Sequence, residues 1–297
     1  MAPKVEEYRE FVEKLEGQLP SIPLIMNELL KVISDSEVAL FAVQNIIKKD
    51  KSIFSLILKH SNLLAYRKGS TDRIINITDA IHRLGFEKVK KLIISHKVFD
   101  FIHVRDSGFN LNTFWKHSCG VAIAAEHLAT KFELKLSSHA YVCGLLHDIG
   151  KAAKLKFSEK QFFREIRHSR RYNCSNLESE IMLAKLEHDK LGAMIINSWG
   201  ISPVIEQTTR WHHEPNKEKR IDLEDPHLHK LIDIIFLANY ITKELNFGYS
   251  GYSAKTTLNT EFLRRRKMDD QELQSCKVVV QEALEAEAEH LAIFSKE

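Results

Sequence analysis

The chain has 297 residues, enough for one large domain or two modest ones at roughly 150 residues each, and enough to bury a core without disulfide or metal staples. Apolar residues make up 44% and charged residues 28%, which excludes wholesale disorder, and a net charge of +3 is too balanced to single out a nucleic-acid or membrane partner. Eleven glycines and six prolines are few, with no proline between Pro23 and Pro203; so few breakers over so long a stretch predict an all-α chain.

In chain order, Tyr8, Phe11 and Leu15 form a short amphipathic stripe that stops at Gly17. After Leu19-Pro20-Ser21-Ile22-Pro23, the residues Met26, Leu29, Leu30 and Ile33 follow helical spacing. Val43, Ile46 and Ile47 predict the next helix, and Ile53, Leu56, Ile57 and Leu58 another. Tyr66 to Asn76 has the turn chemistry of a loop, after which Asn76 or Thr78 suits the cap of a helix carrying Ala80, Ile81 and Leu84. Gly85 interrupts it, and a long helix runs from Val89 to Ile102.

The polar stretch His103 to Asn110 is the expected boundary between an N-terminal helical subdomain, 1–105, and a second helical part, 106–297. There the apolar pattern predicts helices near 111–132, 138–149, 158–172, 177–199, 202–213, 227–246 and 270–295, with no alternating strand pattern. The four cysteines form no C-x-x-C pair, the N-terminus carries charge of both signs rather than a secretory pattern, and the apolar segment Leu231 to Ile241 is too short to span a bilayer. A soluble, cytoplasmic protein with reduced thiols is expected.

Fifteen histidines are a generous supply, and five stand in suggestive company. His147 and Asp148 are adjacent in Gly144-Leu145-Leu146-His147-Asp148-Ile149-Gly150-Lys151. Ala140, Cys143 and Gly144 share the face of His147 and would let another helix approach closely, while Gly150 reads as the C′ residue that ends the helix. His117 shares a stripe with Phe114, Gly120, Val121, Ala124 and Leu128. His188 begins a stripe with Leu191, Gly192, Ile195 and Trp199, and His212-His213 end a helix just before Glu214-Pro215. Any one of these is more simply a hydrogen-bonded core histidine, but neutral imidazoles from four helices sharing one pocket invite a metal.

The order His117, His147-Asp148, His188, His212-His213 resembles the HD metal-dependent phosphohydrolase superfamily. Its HDOD branch, the HD-related output domain, is resembled by Leu19-Pro20-Ser21-Ile22-Pro23, Ser61-Asn62, Ile77-Thr78-Asp79-Ala80-Ile81, Leu84-Gly85, Leu191-Gly192-Ala193, Asn197-Ser198-Trp199-Gly200-Ile201 and His212-His213-Glu214-Pro215. The resemblance spans about Leu19 to Gly251. It implies an all-α fold with a small N-terminal helical bundle packed on an HD-type helical core. It also implies one or two divalent transition-metal ions (Fe, Mn, Ni or Zn) held by His117, His147, Asp148, His188, His212 and His213. Where relatives place a final Asp ligand, this chain has Leu237-Ala238-Asn239, so Asn239 is expected to be a weak ligand. Thr113 replaces the glutamate of three-metal relatives, and Pro215-Asn216-Lys217 replaces the Gly-Tyr-Pro element of cyclic-dinucleotide phosphodiesterases.

Lys160, Arg164, Arg167 and Arg171 share a helix face, and Lys151 follows the His-Asp pair. Lys151, Arg164 and Arg167 are candidate phosphate-binding residues, against the alternative of a solvated face. Arg264-Arg265-Arg266-Lys267 reads as a surface linker. Two functions follow. One is a regulatory output protein with a metal-binding pocket and a signalling protein as partner, with neither nucleic acid nor membrane involved. The other is a metal-dependent phosphohydrolase or phosphodiesterase in which Asp148 and Lys151 are catalytic. The first is preferred because Asn239 lacks the ligand charge. The oligomeric state is not set by the sequence.

Overall fold

In the computed structural model, residues 3–16, 28, 36–63, 73–102, 109–251, 258–288 and 291 are described; every regular element among them is helical. The Leu19-Pro23 motif, the stripe Met26 to Ile33, most of the Tyr66 to Asn76 loop and the boundary segment 103–108 lie outside the described residues. Contacts group the chain into two compact units, residues 19–101 and residues 1–18 with 102–297. The N-terminal helix therefore belongs with the larger unit, whereas a division at 105 would place it with the smaller.

In the smaller unit, helices α2 (Ser36–Lys49), α3 (Lys51–Ser61), α4 (Ile77–Leu84) and α5 (Phe86–Ile102) surround Val43, Ile46, Ile53, Leu56, Ile81 and Leu92, all buried. Asp50 caps α3 through the amides of Ser52 and Ile53, and Asn76 caps α4 through that of Asp79. Asn62 explains its place in the motif. Its side chain donates to the Leu58 and Ile74 carbonyls and accepts from the Ile74 amide, tying the end of α3 to the chain that leads into α4. Gly85 joins α4 to α5 at φ +82°, a backbone state that costs other residues about 1–2 kcal/mol. His60 and His96 are buried here.

The larger unit is built on α6 (Leu111–Lys131) and α7 (Ser137–Leu146), packed against each other, with α13 (Pro226–Glu244) against both and α15 (Asp270–Ala286) on α6. Small residues set the separation, as the spacing predicts: a Cβ on Gly144 would lie 2.7 Å from the Ala122 Cα. The helices α8 (Ile149–Phe157), α9 (Glu159–Tyr172), α10 (Asn176–Met182), α11 (His188–Ser198) and α12 (Pro203–Trp211) complete the layer around the His-Asp pair. The N-terminal helix α1 (Val5–Glu16) packs its Tyr8, Val12 and Leu15 face on α11, and the Glu187 amide donates to the Tyr8 hydroxyl at 3.0 Å.

Four local expectations are corrected. The helix expected over 138–149 stops at Leu146; His147 and Asp148 form the corner and α8 begins at Ile149. Gly150 is therefore no C′ residue but lies inside α8, where a Cβ would overlap the His188 carbonyl oxygen. The helix expected over 177–199 is broken at Leu183 to Glu187, with Ala184 at φ +51°. A continuous helix would separate Glu180 from His188 by about 12 Å of rise. The break folds them together, so that Glu180 accepts from the His188 amide at 2.9 Å. Arg264 to Arg266 belong to helix α14 (Thr260–Arg266), where Arg265 pairs with the buried Asp233 of α13 alongside Arg220. A surface linker is thus replaced by a clamp between α13, α14 and the chain after His213.

Candidate metal centre

Each candidate side chain arrives at the site from a different local structure. His117 lies on the inner face of α6, His147 and Asp148 form the α7–α8 corner, His188 opens α11, and His212-His213 follow α12. His117, His147, Asp148, His188 and His212 are essentially inaccessible, at 0–1% exposure, and His213 is partly exposed. Two overlapping groups result: His117, His147 and Asp148, and Asp148, His188, His212 and His213, each with one donor atom per residue lying within 4.8 Å of the others. Asp148 is common to both.

The outer ring nitrogens decide what the inner ones can do. His147 Nδ1 donates to the Gly144 carbonyl at 2.7 Å, and His212 Nδ1 to that of Thr209 at 2.7 Å. His188 Nδ1 donates to the Glu180 carboxylate at 2.7 Å. These bonds place the proton on Nδ1 and leave the Nε2 lone pair directed inward, the arrangement in which imidazoles bind metals. His188 Nε2 and His212 Nε2 lie 3.4 and 3.5 Å from Asp148 Oδ1, and His147 Nε2 lies 3.3 Å from Oδ2. His188 Nε2 accepts from His213 Nε2 at 2.8 Å. Among the described residues, Nε2 of His117, His147 and His212 and Oδ1 of Asp148 have no hydrogen-bond partner, and neither does Oδ1 of Asn239. Buried polar atoms left unpaired in one place are costly, and a cation at their focus would satisfy them.

The electrostatics suit a cation. Burial and the neighbouring His147 push the His117 imidazole well below its ordinary value; burial brings His212 down to about 3, and burial with His212 and His188 lowers His213. These rings are neutral ligands at pH 7. Burial opposes ionisation of Asp148, but His147 and Lys151 hold its carboxyl well below the usual range. The donor set therefore fits a divalent transition metal: hard carboxylate charge with several borderline imidazoles.

Other predicted residues divide sharply. Asn239 reaches the site and is buried, as is Lys151, whose ammonium donates to Asp148 Oδ2 at 2.9 Å. Arg164 and Arg167 do not. They are exposed with Lys160 and Arg171 on the outer face of α9, opposite the buried Phe162 and Ile166. The sequence reading missed the support behind His188: buried Lys154 bridges Glu165 at 2.6 Å and Glu180 at 2.7 Å, and Glu180 in turn orients the imidazole. Burial raises the Glu180 carboxyl, but His188 and Lys154 overcome it and bring it down to about 2. Lys243 was also missed, although it stands one helical turn after Asn239 in an apolar helix. Its side chain is partly exposed, and desolvation with the nearby Lys151 brings its ammonium down to about 8.

The described residues thus form an all-α fold in which side chains from four helices meet in one His-Asp cluster. Residues 19–215 match the HDOD domain family model, and the chain belongs to the HDOD family. A curated relative, an uncharacterized protein of Treponema pallidum (strain Nichols), is 22% identical over 196 residues, covering 66% of this chain but only 37% of its own length. Thus the chain spans little more than a third of that relative. The crystal structure of an HDOD domain protein of unknown function from Geobacter sulfurreducens aligns with a TM-score of 0.73 at 21% identity over 97% of both chains. That of a candidate phosphohydrolase from Shewanella amazonensis SB2B aligns at 0.67 and 20% identity, covering 95% of this chain and 96% of that one. A candidate signal transduction protein from Marinobacter aquaeolei VT8 aligns at 0.71 and 18% identity, over 94% of this chain and 61% of that one. At these identities the likeness establishes the fold.

Proposed function

We propose that this HDOD protein is a regulatory output module that holds a divalent transition metal, Fe, Mn, Ni or Zn, in the His-Asp cluster and does not turn over phosphate esters efficiently. The observation that carries the metal is the convergence of unpaired buried atoms from His117, His147, Asp148 and His212. His117, His147, Asp148, His188, His212 and His213 would hold one or two ions, with Asn239 as a weak ligand. A bound metal supplies a Lewis acid and a more acidic water. Two features favour regulation over turnover. Asn239 brings no charge to the position where a carboxylate would assist, and the Lys151 ammonium already occupies Asp148 Oδ2. A signalling protein as partner and a cytoplasmic setting complete the proposal; buried, unbridged Cys119, Cys143 and Cys276 support a reducing compartment. Among the described residues no helix is long and apolar enough to cross a membrane.

Protein purified without chelator or nickel resin should contain stoichiometric metal by elemental analysis. It should hydrolyse model phosphomonoesters and diesters far more slowly than the 1–10³ s⁻¹ or so typical of enzymes. The second reading, a metal-dependent phosphohydrolase, is favoured by retention of all six His and Asp donors. Hydrolysis at enzymatic rates that disappears with His147→Ala would establish it instead.

Asn239→Asp separates the two roles of the position. A carboxylate there should tighten metal binding about tenfold or more, in the range that single groups around a metal contribute. An unchanged affinity in a competition titration would place Asn239 outside the coordination sphere.

A further inference from the structure

We infer that α1 is a latch on the metal site: Tyr8 positions the start of α11, and His188 with it, so that docking of α1 and binding of a metal strengthen each other. Three consecutive peptide groups at the end of the break before α11 are each held by a side chain from a different helix. The Leu186 carbonyl accepts from the Lys154 ammonium of α8 at 2.7 Å. The Glu187 amide donates to the Tyr8 hydroxyl of α1 at 3.0 Å, and the His188 amide to the Glu180 carboxylate of α10 at 2.9 Å. Lys154 and Glu180 also hold each other, and Glu180 orients the His188 ring. The third hold stands apart from that pair and comes from the start of the chain. A single peptide bond separates Glu187, which Tyr8 grips, from a ring whose Nε2 lies 3.4 Å from Asp148 Oδ1.

The helix is held lightly. It has 12 residues, a length at which an isolated helix is marginal in water, so its order comes from docking. Tyr8, Val12 and Leu15 are buried, Phe11 meets Phe157 edge-on with centroids 6.2 Å apart, and the rest of α1 is exposed. Towards α12 it packs against nothing: an open groove of about 790 Å³ intervenes, lined by Arg9, Glu13, Met194, Trp211 and Ile221 among others. Elements with few buried apolar contacts open locally at less cost than global unfolding. When α1 leaves, the Glu187 amide loses its acceptor and the peptide before His188 gains freedom. A ligand that fixes His188 Nε2 restricts the same peptide from the other side. Each restraint lowers the ordering cost of the other, which is positive coupling, and linkage makes it reciprocal. The inference deepens the proposed function by naming the part that responds to the metal, and it rests on that reading for the metal itself.

The test is hydrogen exchange of the α1 amides in the full chain, metal-free and loaded with Zn²⁺. Zn²⁺ affinity by competition titration and melting temperature are measured on the same samples of wild type, Tyr8→Phe and Val12→Asp. Zn²⁺ is expected to slow exchange across α1 about fivefold or more, the low end of the range for coupled sites. Val12→Asp, which puts a charge in the buried face of α1, should abolish protection there and weaken Zn²⁺ by the same factor, as linkage requires. Tyr8→Phe keeps the ring and removes the acceptor, so it should move both quantities in the same direction by a smaller factor. A contact that merely supports the fold would lower the melting temperature and leave Zn²⁺ affinity unchanged. Exchange of α1 that Zn²⁺ does not slow, or wild-type affinity in a folded Val12→Asp protein with α1 unprotected, overturns the latch and leaves the metal site standing. Failure of the wild type to take up Zn²⁺ overturns both.

Discussion

Asp148→Ala is expected to abolish stoichiometric metal binding, lowering affinity by more than the 10–100-fold that follows loss of a group behind a ligand. Asp148 contributes to both donor groups, with Oδ1 facing His188 and His212 and Oδ2 facing His147. Among the described residues Asp148 is the one carboxylate in either donor group, Glu180 standing behind His188, so neither group retains a charged ligand without it. The substitution also strands Lys151, which is 2% exposed and hydrogen-bonded to the lost carboxylate. Breaking a buried pair by removing one partner costs about 3–5 kcal/mol. The metal-free variant should therefore melt well below the metal-free parent, and adding Lys151→Met should recover part of the loss without restoring metal. Metal content and melting temperature, measured on the same samples, check both. Wild-type metal affinity in Asp148→Ala would remove Asp148 from the site.

Gly150→Ala is expected to damage fold and site together, although it adds one methyl group. The new Cβ would overlap the His188 carbonyl oxygen and lie 2.9 Å from the Gly192 amide nitrogen. The obstacle is backbone on both counts, so no side chain can swing aside; α8 and α11 must separate. Overpacking a core costs about 1–3 kcal/mol, more where backbone must move, which for a unit of this size lowers the melting temperature by roughly 6 °C or more. Since α8 carries Lys151 and α11 carries His188, metal affinity should fall with stability. A calorimetric scan and a metal titration read the two effects; an unchanged melting temperature would mean the helices are not in contact at Gly150.

Much of this was legible in the sequence because helical periodicity and small-residue placement are local signals. The stripe through His117, the close approach at Gly144 and the helix ending at His212-His213 all follow from spacing. The breaks were not. Leu183 to Glu187 contains neither Gly nor Pro, and the helix stops there because Glu180 has to meet His188, a tertiary demand that leaves no local trace. Gly150 was misread for a related reason: a glycine in a helical run can end the helix or admit a neighbour, and only the position of α11 decides. The basic stripe on α9 was sorted by burial, which charge spacing does not encode. Lys154 and Lys243 were detectable as lysines inside apolar helices, but what they face depends on Glu180 and on the pocket beside Asn239.

His117, His147, Asp148, His188, His212 and His213 are proposed to surround a metal. Anomalous diffraction at the absorption edge of whichever metal copurifies tests it most directly. A peak is expected within coordinating distance of Asp148 and of the inward Nε2 atoms of at least two of these histidines. Crystals of metal-loaded protein showing no peak there, or a peak only at surface residues, would contradict it.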